Sequence, residues 1–463
     1  MKNIIKKIIY LYTLIFISYN SNGQVTKDLP NYFPVSPNAA SFAKQGLYPV
    51  DYSTGRLNVN VPIYTIKTRE ITVPISISYN TSGIQLNETA SWVGLGWNLG
   101  AGGAIVRNTK GIPDKALGIQ KYWTPIPMLS TGLVFNHENY KALYLMQKGE
   151  QDTAPDEYIV SAPGLSGSFY FDQNDSYKAY FRDFQNTKVK IISDNEIEIT
   201  KDDGTIYKFG KTLKGVESVE VTSNPTESIQ SLGTDFISAW YLTEIISVNG
   251  TEIISFNYKS IDSYDYPVVA SENLYPATVS SWIRTNYPVS TKIKKQFLQS
   301  ITFSNGRIDF ISALDREDLI LDYKLNSIEV YSVLNNKSLL IQKSNFNYDY
   351  YVRSGGNVTS VEHNSDYEGS RNFNSRNKSL RLKEIIDSQT NTKYVFDYNN
   401  IQLPLRGTNK QDYWGYINNN SGSLMPPTKM DLNNQVGNTR IINFGTGDRK
   451  ANETLMQSGI LKK

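Results

Sequence analysis

The 463-residue chain contains no cysteine. That excludes disulfides, thiolate metal sites, a cysteine nucleophile and a diacylglyceryl-cysteine anchor. Histidine is almost missing too. His137 and His363 are the only two, each in a polar, asparagine-containing context ("FNHEN", "VEHNSD"). No pair stands at metal-ligand spacing and no HExxH occurs, so a histidine-based zinc centre has no basis. Net charge is small: 47 basic and 44 acidic residues leave +3. Lys2, Lys6 and Lys7 sit in an N-terminal stretch without acids, and the chain after it carries 44 of each sign. That balance points to neither nucleic acid nor an anionic surface as partner. Apolar runs long enough to span a bilayer are missing. Ile8 to Ser18 is too short. With basic residues before it and Ser21-Asn22-Gly23 after it, this run reads as a secretory signal cut between Gly23 and Gln24. The expectation is an exported protein, secreted or on the outer cell surface, with no transmembrane segment once the signal is gone. Its core must hold without covalent staples.

Tyrosine is what the chain has in quantity: 32, against 18 Phe and 6 Trp. Tyrosine suits half-exposed strand faces, ring body inward and hydroxyl in water. Few stretches carry a helical period. The expected fold is all-β, mostly antiparallel hairpins in an extended, curved sheet or β-shell wall, with at most one or two short helices. After the signal (1–23), residues 24–45 are polar and Pro-punctuated and read as an extended lead-in. An N-terminal β segment (46–115) follows. In it Leu57, Val59, Val61 and Ile63 alternate with polar residues. After Lys67-Thr68-Arg69-Glu70 the alternation resumes at Ile71, Val73, Ile75, Ile77 and Tyr79. Period two on both sides of a short polar turn predicts a hairpin with one buried face. Pro62 and Pro74 fall on the outward positions. Residues 116–155 read as a variable, partly helical insertion, with Glu138 to Gln151 the best helix candidate. Residues 156–260 read as a β domain.

Residues 261–463 read as degenerate hairpin repeats, the pattern already starting at Leu242. It appears as "LTEIISVNGTEIISFNY", then "LQSITFSNGRIDF" from Leu298, "LNSIEVYS…LLIQKSNFNY" from Leu325 and "LKEIIDSQTNTKYVFDY" from Leu382. Each is Leu-x-x-Ile, a polar turn and a strand, and three close on Phe-x-Tyr. One such hairpin is marginal alone, and stacked neighbours bury the shared face. Ile460-Leu461-Lys462-Lys463 reads as the opening of a further unit, so the array is expected to be truncated.

The densest motif is "SWVGLGWNLGAGG", Ser91 to Gly103. A dinucleotide fingerprint needs G-x-G-x-x-G opening a helix. Here the third glycine comes one residue late, Trp97 fills the space a pyrophosphate needs, and Gly100, Gly102 and Gly103 disfavour the helix. The reading is structural. Trp92 and Trp97 turn toward a common core, and Gly94, Gly96, Gly102 and Gly103 allow close approach or positive φ in a kinked or bulged strand. Gly96→Val is expected to prevent folding.

The motif and its surroundings resemble the N-terminal region of secreted Bacteroidetes-type RHS/YD-repeat proteins. The resemblance rests on "YFPVSPNAASFAKQGLYPVDYSTGRLNVNVPIY", "ISISYNTSGIQLNETASWVGLGWNLGAGGAIVRNTKGIPD", "PDEYIVSAPGLSGSFYFD", "DGTIYKFG", "AWYLTEI", "QDYWGYINN" and "GILKK". The Gly-Trp stretch is also distantly similar to insecticidal toxin-complex B components. The resemblance implies a β-shell that encloses a C-terminal toxin or effector, completed by a downstream RHS/YD-repeat region. It implies no active site and no cofactor in this segment.

Catalytic patterns are thin. Gly164-Leu165-Ser166-Gly167 falls one residue short of a serine elbow and reads as a turn. Glu196-Ile197-Glu198 resembles the Glu-x-Glu of ADP-ribosyltransferases, but the two carboxylates share the outward face of a strand. Asp172 to Ser176 lacks the glycine and distal glutamate of an EF loop. The sequence therefore favours a non-catalytic structural part of an exported shell protein used in toxin delivery or surface interaction. A carbohydrate-binding or carbohydrate-active β protein and a stand-alone adhesin remain the alternatives, with a surface glycan or another protein as partner.

Overall fold

The predicted N-terminal hairpin forms, in a computed structural model, as β1 (Leu57–Lys67) and β2 (Thr72–Thr81), paired from Leu57↔Thr81 to Lys67↔Thr72. Val61, Ile63, Ile66, Ile71, Val73, Ile75, Ile77 and Tyr79 are buried, and Pro62 and Pro74 point outward. Both prolines sit where a missing N–H is harmless. Pro62 is on the edge strand. Pro74 lies beyond the reach of the third strand, β3 (Trp97–Gly100), which pairs only with Ser76 to Tyr79.

The structure describes residues 35–47, 57–81, 83–111, 113–114, 141, 144, 154–212, 214–223, 235–278, 281–319, 321–335, 337–355, 376–433 and 439–462. Asn31–Lys463 make one unit. The signal segment with Gly23 and Gln24, both histidines and nearly all of the insertion at 116–155 lie outside the described residues. In the predicted helix Glu138–Gln151 only Lys141 and Tyr144 are described, and both are helical.

A 16-stranded antiparallel sheet makes up most of the unit. Its first strands are β4 (Ala104–Asn108), β5 (Glu157–Ala162), β6 (Leu165–Asp172), β7 (Lys178–Phe181), β8 (Lys188–Ser193), β9 (Glu196–Thr200), β10 (Ile206–Phe209) and β11 (Val219–Ser223). The repeats supply β12 (Phe236–Ile246), β13 (Ile253–Thr278), β14 (Ser281–Phe303), β15 (Gly306–Ala313), β16 (Lys324–Leu334), β17 (Lys337–Val352), β18 (Lys378–Asp387) and β19 (Lys393–Val395). Neighbours run β19 to β14 in reverse chain order, then β11, β12, β4, β5, β6 and β7. β20 (Thr428–Asn433) and β21 (Thr439–Phe444) form a separate hairpin. The fold is all-β and mostly antiparallel, as the alternation predicts.

The lead-in is not extended throughout. Pro37–Leu47 is a helix, α1. The Ser36 hydroxyl caps it by accepting from the Ala39 N–H at 3.2 Å, and Pro37 stands at the first helical position, where its fixed φ suits the helix and its missing N–H costs nothing. Ala39 and Phe42 pack on Ala104, Val106, Ala239 and Tyr241. Ile105, Trp240 and Leu242, the alternate residues of β4 and β12, enter the main core instead. The helix thus covers one face of β4 and β12 and the main core the other, which is why nearly all of β12 is buried. Beneath the helix, buried Glu220 accepts from the Ser36 N–H at 2.7 Å, the Ser238 hydroxyl at 3.2 Å and the Tyr241 hydroxyl at 3.2 Å. Burial pushes its carboxyl above the ordinary range, against the pull of those bonds.

The repeats follow one rule. In a flat strand, Leu and Ile three positions apart would face opposite ways. They share a face because the residue after each Leu is a β-bulge. Leu242 pairs with Phe209 and Glu244 with Lys208, leaving Thr243 unpaired. Gln299, Asn326 and Lys383 are skipped in the same way. One extra residue reverses the phase, so Leu242/Ile245, Leu298/Ile301, Leu325/Ile328 and Leu382/Ile385 are all buried in the main core.

Candidate functional site

Ser91 to Gly103 supplies a strand of the small sheet and leads directly into the large one. β3 belongs to the three-stranded sheet and β4 to the large one, and Ala101 to Gly103 form the corner between them. This corrects the expectation of a single kinked strand: the chain leaves one sheet and enters another, and both share one core. Gly103 sits at the corner because an added Cβ would lie 2.4 Å from the Ser161 carbonyl oxygen. Gly102 lies beside the Tyr258 hydroxyl, and Gly94 lies against the backbone of β18 at Leu382. Gly96 has φ +78°, and an added Cβ would stand 2.6 Å from the Tyr79 ring. The neighbour that demands glycine at 96 is thus Tyr79.

Trp92 and Trp97 are both buried in the main core, as predicted, yet they meet different repeats. Trp92 packs edge-on against Phe297 of β14, ring centres 5.5 Å apart, and its carbonyl accepts from the Leu325 N–H at 3.0 Å. Trp97 packs against Tyr79 and Phe396, and its indole N–H donates to the Tyr398 hydroxyl oxygen at 2.8 Å. Between them the Leu95 N–H donates to the Leu380 carbonyl at 2.8 Å. The motif therefore ties β14 to the units that open at Leu325 and Leu382.

A buried ionic cluster that sequence reasoning missed holds the same segment. Arg316 donates to the Ala90 and Ser91 carbonyls at 3.1 and 3.2 Å and pairs with Asp318 at 2.9 Å. Asp318 also accepts from the Leu380 N–H, and Asp322 pairs with Lys295 at 2.7 Å. Burial pushes the Asp318 carboxyl up, but the Arg316 guanidinium outweighs it and holds the group below the usual carboxylate range. Arg353, also buried, donates to the Leu86 carbonyl and the Ser379 hydroxyl, and burial pulls its guanidinium down to about 9. The "DRED" around Arg316 reads as a polar turn, and nothing in its spacing marks it as interior.

The Phe-x-Tyr endings have a specific task. The Tyr258 hydroxyl donates to the Leu242 carbonyl at 2.9 Å, Tyr348 to Leu325 at 2.7 Å and Tyr398 to Leu382 at 2.6 Å. Each closing tyrosine clasps the leucine that opens its own unit. Tyr258 and Tyr348 also pair across the sheet with the opening leucine of the next unit, Leu298 and Leu382 respectively. The unit from Leu298 lacks the tyrosine, and Ser312 stands opposite Leu325 with its hydroxyl buried and unbonded. At the far end Tyr398 bridges Leu461, which is buried and donates its N–H to the Tyr79 hydroxyl oxygen at 3.1 Å. Leu461 thus holds, against Tyr398, the place that Leu298 and Leu382 hold against Tyr258 and Tyr348.

The weak catalytic patterns fall in turns or on an outward strand face. Gly164 is in the β5–β6 turn, and Leu165, Ser166 and Gly167 are in β6. Glu196 and Glu198 flank the buried Ile197 on the outward side of β9. Asp172 accepts from the Asn174 N–H in a tight turn. Among the described residues no group of three or more His, Asp or Glu side chains is placed to hold a metal ion, and no helix is long and apolar enough to cross a membrane.

No family model matches the chain, and no curated protein does. Among solved structures it is similar to the N-terminal domain of effector protein SpvB from Salmonella typhimurium strain LT2. That likeness has 11% identity and a TM-score of 0.32, over 73% of this chain and 99% of that one. At that score it carries no argument.

Proposed function

We propose that this chain is a non-catalytic wall, the cap and first part of a larger antiparallel β-shell in an exported RHS/YD-repeat-type protein. The observation that carries the reading is the Tyr398–Leu461 bridge. Two closing tyrosines, Tyr258 and Tyr348, stand opposite the leucine that opens a later unit, and the closing tyrosine of the last unit, Tyr398, has Leu461 against it in the same way. An edge prepared in this way is one that a further hairpin of the same design completes. The side chains that sequence reasoning singled out serve packing. The Gly-Trp motif acts as a strap that holds the inner face of the array.

The test is to sequence the genomic locus past codon 463 and image the protein it encodes by electron microscopy. The reading expects further Leu-x-x-Ile hairpins with closing tyrosines and a hollow particle. A stop codon directly after 463, with a folded and monomeric product, would overturn it and raise the adhesin reading.

A further inference from the structure

One surface feature plays no part in the wall. In "QDYWGY", Tyr413 is 65% and Trp414 77% exposed, side by side on a turn. The turn is fastened from several directions. The buried Asp412 carboxylate accepts from the Trp414 and Tyr416 N–H groups at 2.8 and 2.9 Å. The Asp412 N–H donates to the Tyr416 carbonyl at 2.8 Å, closing the turn on itself. From the N-terminal segment, Gln85 Nε2 donates to the Trp414 carbonyl and the Leu86 N–H to the Gly415 carbonyl, both at 2.9 Å. Arg449 donates to the Asp412 carbonyl and lies over the Tyr413 ring, 5.3 Å from its centre.

Two large rings left in water on a loop with this many backbone anchors are a pre-organised surface, whose ordering entropy is already spent before a partner arrives. We infer that Tyr413 and Trp414 form a stacking platform for the pyranose rings of an uncharged polysaccharide. Three observations favour a sugar over a protein. The platform is two rings on one turn, not a broad apolar patch of the size that marks protein interfaces. Its close polar neighbours are amides: Gln85 and Gln411 both flank Gly415, and side-chain amides present the donor and acceptor pairs that match sugar hydroxyls. The cation over Tyr413, Arg449, is already committed to that ring and to the Asp412 and Leu424 carbonyls. The apolar C–H face of a pyranose then meets the Trp414 ring, and Tyr413, with one face under Arg449, extends the platform. This inference does not depend on the shell reading.

The test is retention of the chain on cellulose, chitin, xylan and β-1,3-glucan, followed by titration of soluble oligosaccharides of whichever polysaccharide binds. Retention on at least one is expected. Trp414→Ala should weaken binding tenfold or more, Tyr413→Ala less, and Trp414→Phe should restore most of the loss, all three with the parent melting temperature. Failure to bind any of the four overturns the inference, as does binding that survives Trp414→Ala. So does loss of a protein partner on Trp414→Ala without any polysaccharide binding, which would make the platform a protein contact.

Discussion

The repeats and the Gly-Trp segment bury side chains in the same core by opposite means. The repeats apply one local rule four times: a leucine, a bulge, an isoleucine, a turn and, in three units, a tyrosine that reaches back to the leucine. Their specificity is distributed, and the unit at Leu298 dispenses with the tyrosine altogether. Ser91 to Gly103 occurs once and contacts several units within thirteen residues, with glycines where backbone or rings leave no room. A rule used repeatedly tolerates a missing part. A strap used once does not.

The sharpest way to break that contrast is Gly96→Val. It places a β-branched side chain at φ +78° against the Tyr79 ring, so a loss above about 4 kcal/mol is expected, enough to leave no cooperative melt. A mutant melting with the parent would remove the segment's special status. In the repeats, deleting Lys383 should do comparable damage, because Ile385 and everything after it in β18 would turn to the other face, whereas Lys383→Ala should stay within about 0.5 kcal/mol. Paired thermal melts of the two variants check this directly.

Next in size is the buried ionic cluster. Asp318→Ala leaves the buried Arg316 charge with only the more distant Asp322 carboxylate at 3.9 Å, at an expected cost of about 3–5 kcal/mol in denaturant titrations. The pH dependence follows from its lowered carboxyl. In the unfolded chain Asp318 titrates near the ordinary value of about 3.9, and in the folded chain below it. Its contribution is therefore fully present above that value and lost as pH falls through the folded one. Melts across the acid range should show a steep limb below about pH 4 in the parent that is shallower in Asp318→Asn.

Smaller again are the clasps. Tyr348→Phe strands the buried Leu325 carbonyl and should cost about 1–2 kcal/mol. Tyr398→Phe loses the bond to Leu382 and the acceptor for the Trp97 indole, so the larger of the two losses belongs there. Equal losses would mean that the strap and the repeats are not coupled through Tyr398.

Much of the fold was legible in the residues, and the reasons are local. Alternation marked β1 and β2 because a strand with one dry face must repeat every second residue. The repeat units were visible because each spells its hairpin out in nearby residues. Even α1, read as extended, had left a sign in Ser36-Pro37, a cap followed by a proline at the first helical position. The bulges were legible only as an anomaly, a three-residue spacing inside strands.

The sequence alone therefore determined the class of the fold, the hairpin units and the glycines that admit no side chain, since each follows from the period and conformational freedom of neighbouring residues. Only the tertiary structure decided what those units meet. Trp92 and Trp97 part toward different repeats, Arg316 and Asp318 close a salt bridge in the interior, Leu461 returns to Tyr398 and Tyr79, and Tyr413 and Trp414 stay in water. Each of these outcomes depends on residues dozens to hundreds of positions away, and no local pattern encodes a distant neighbour.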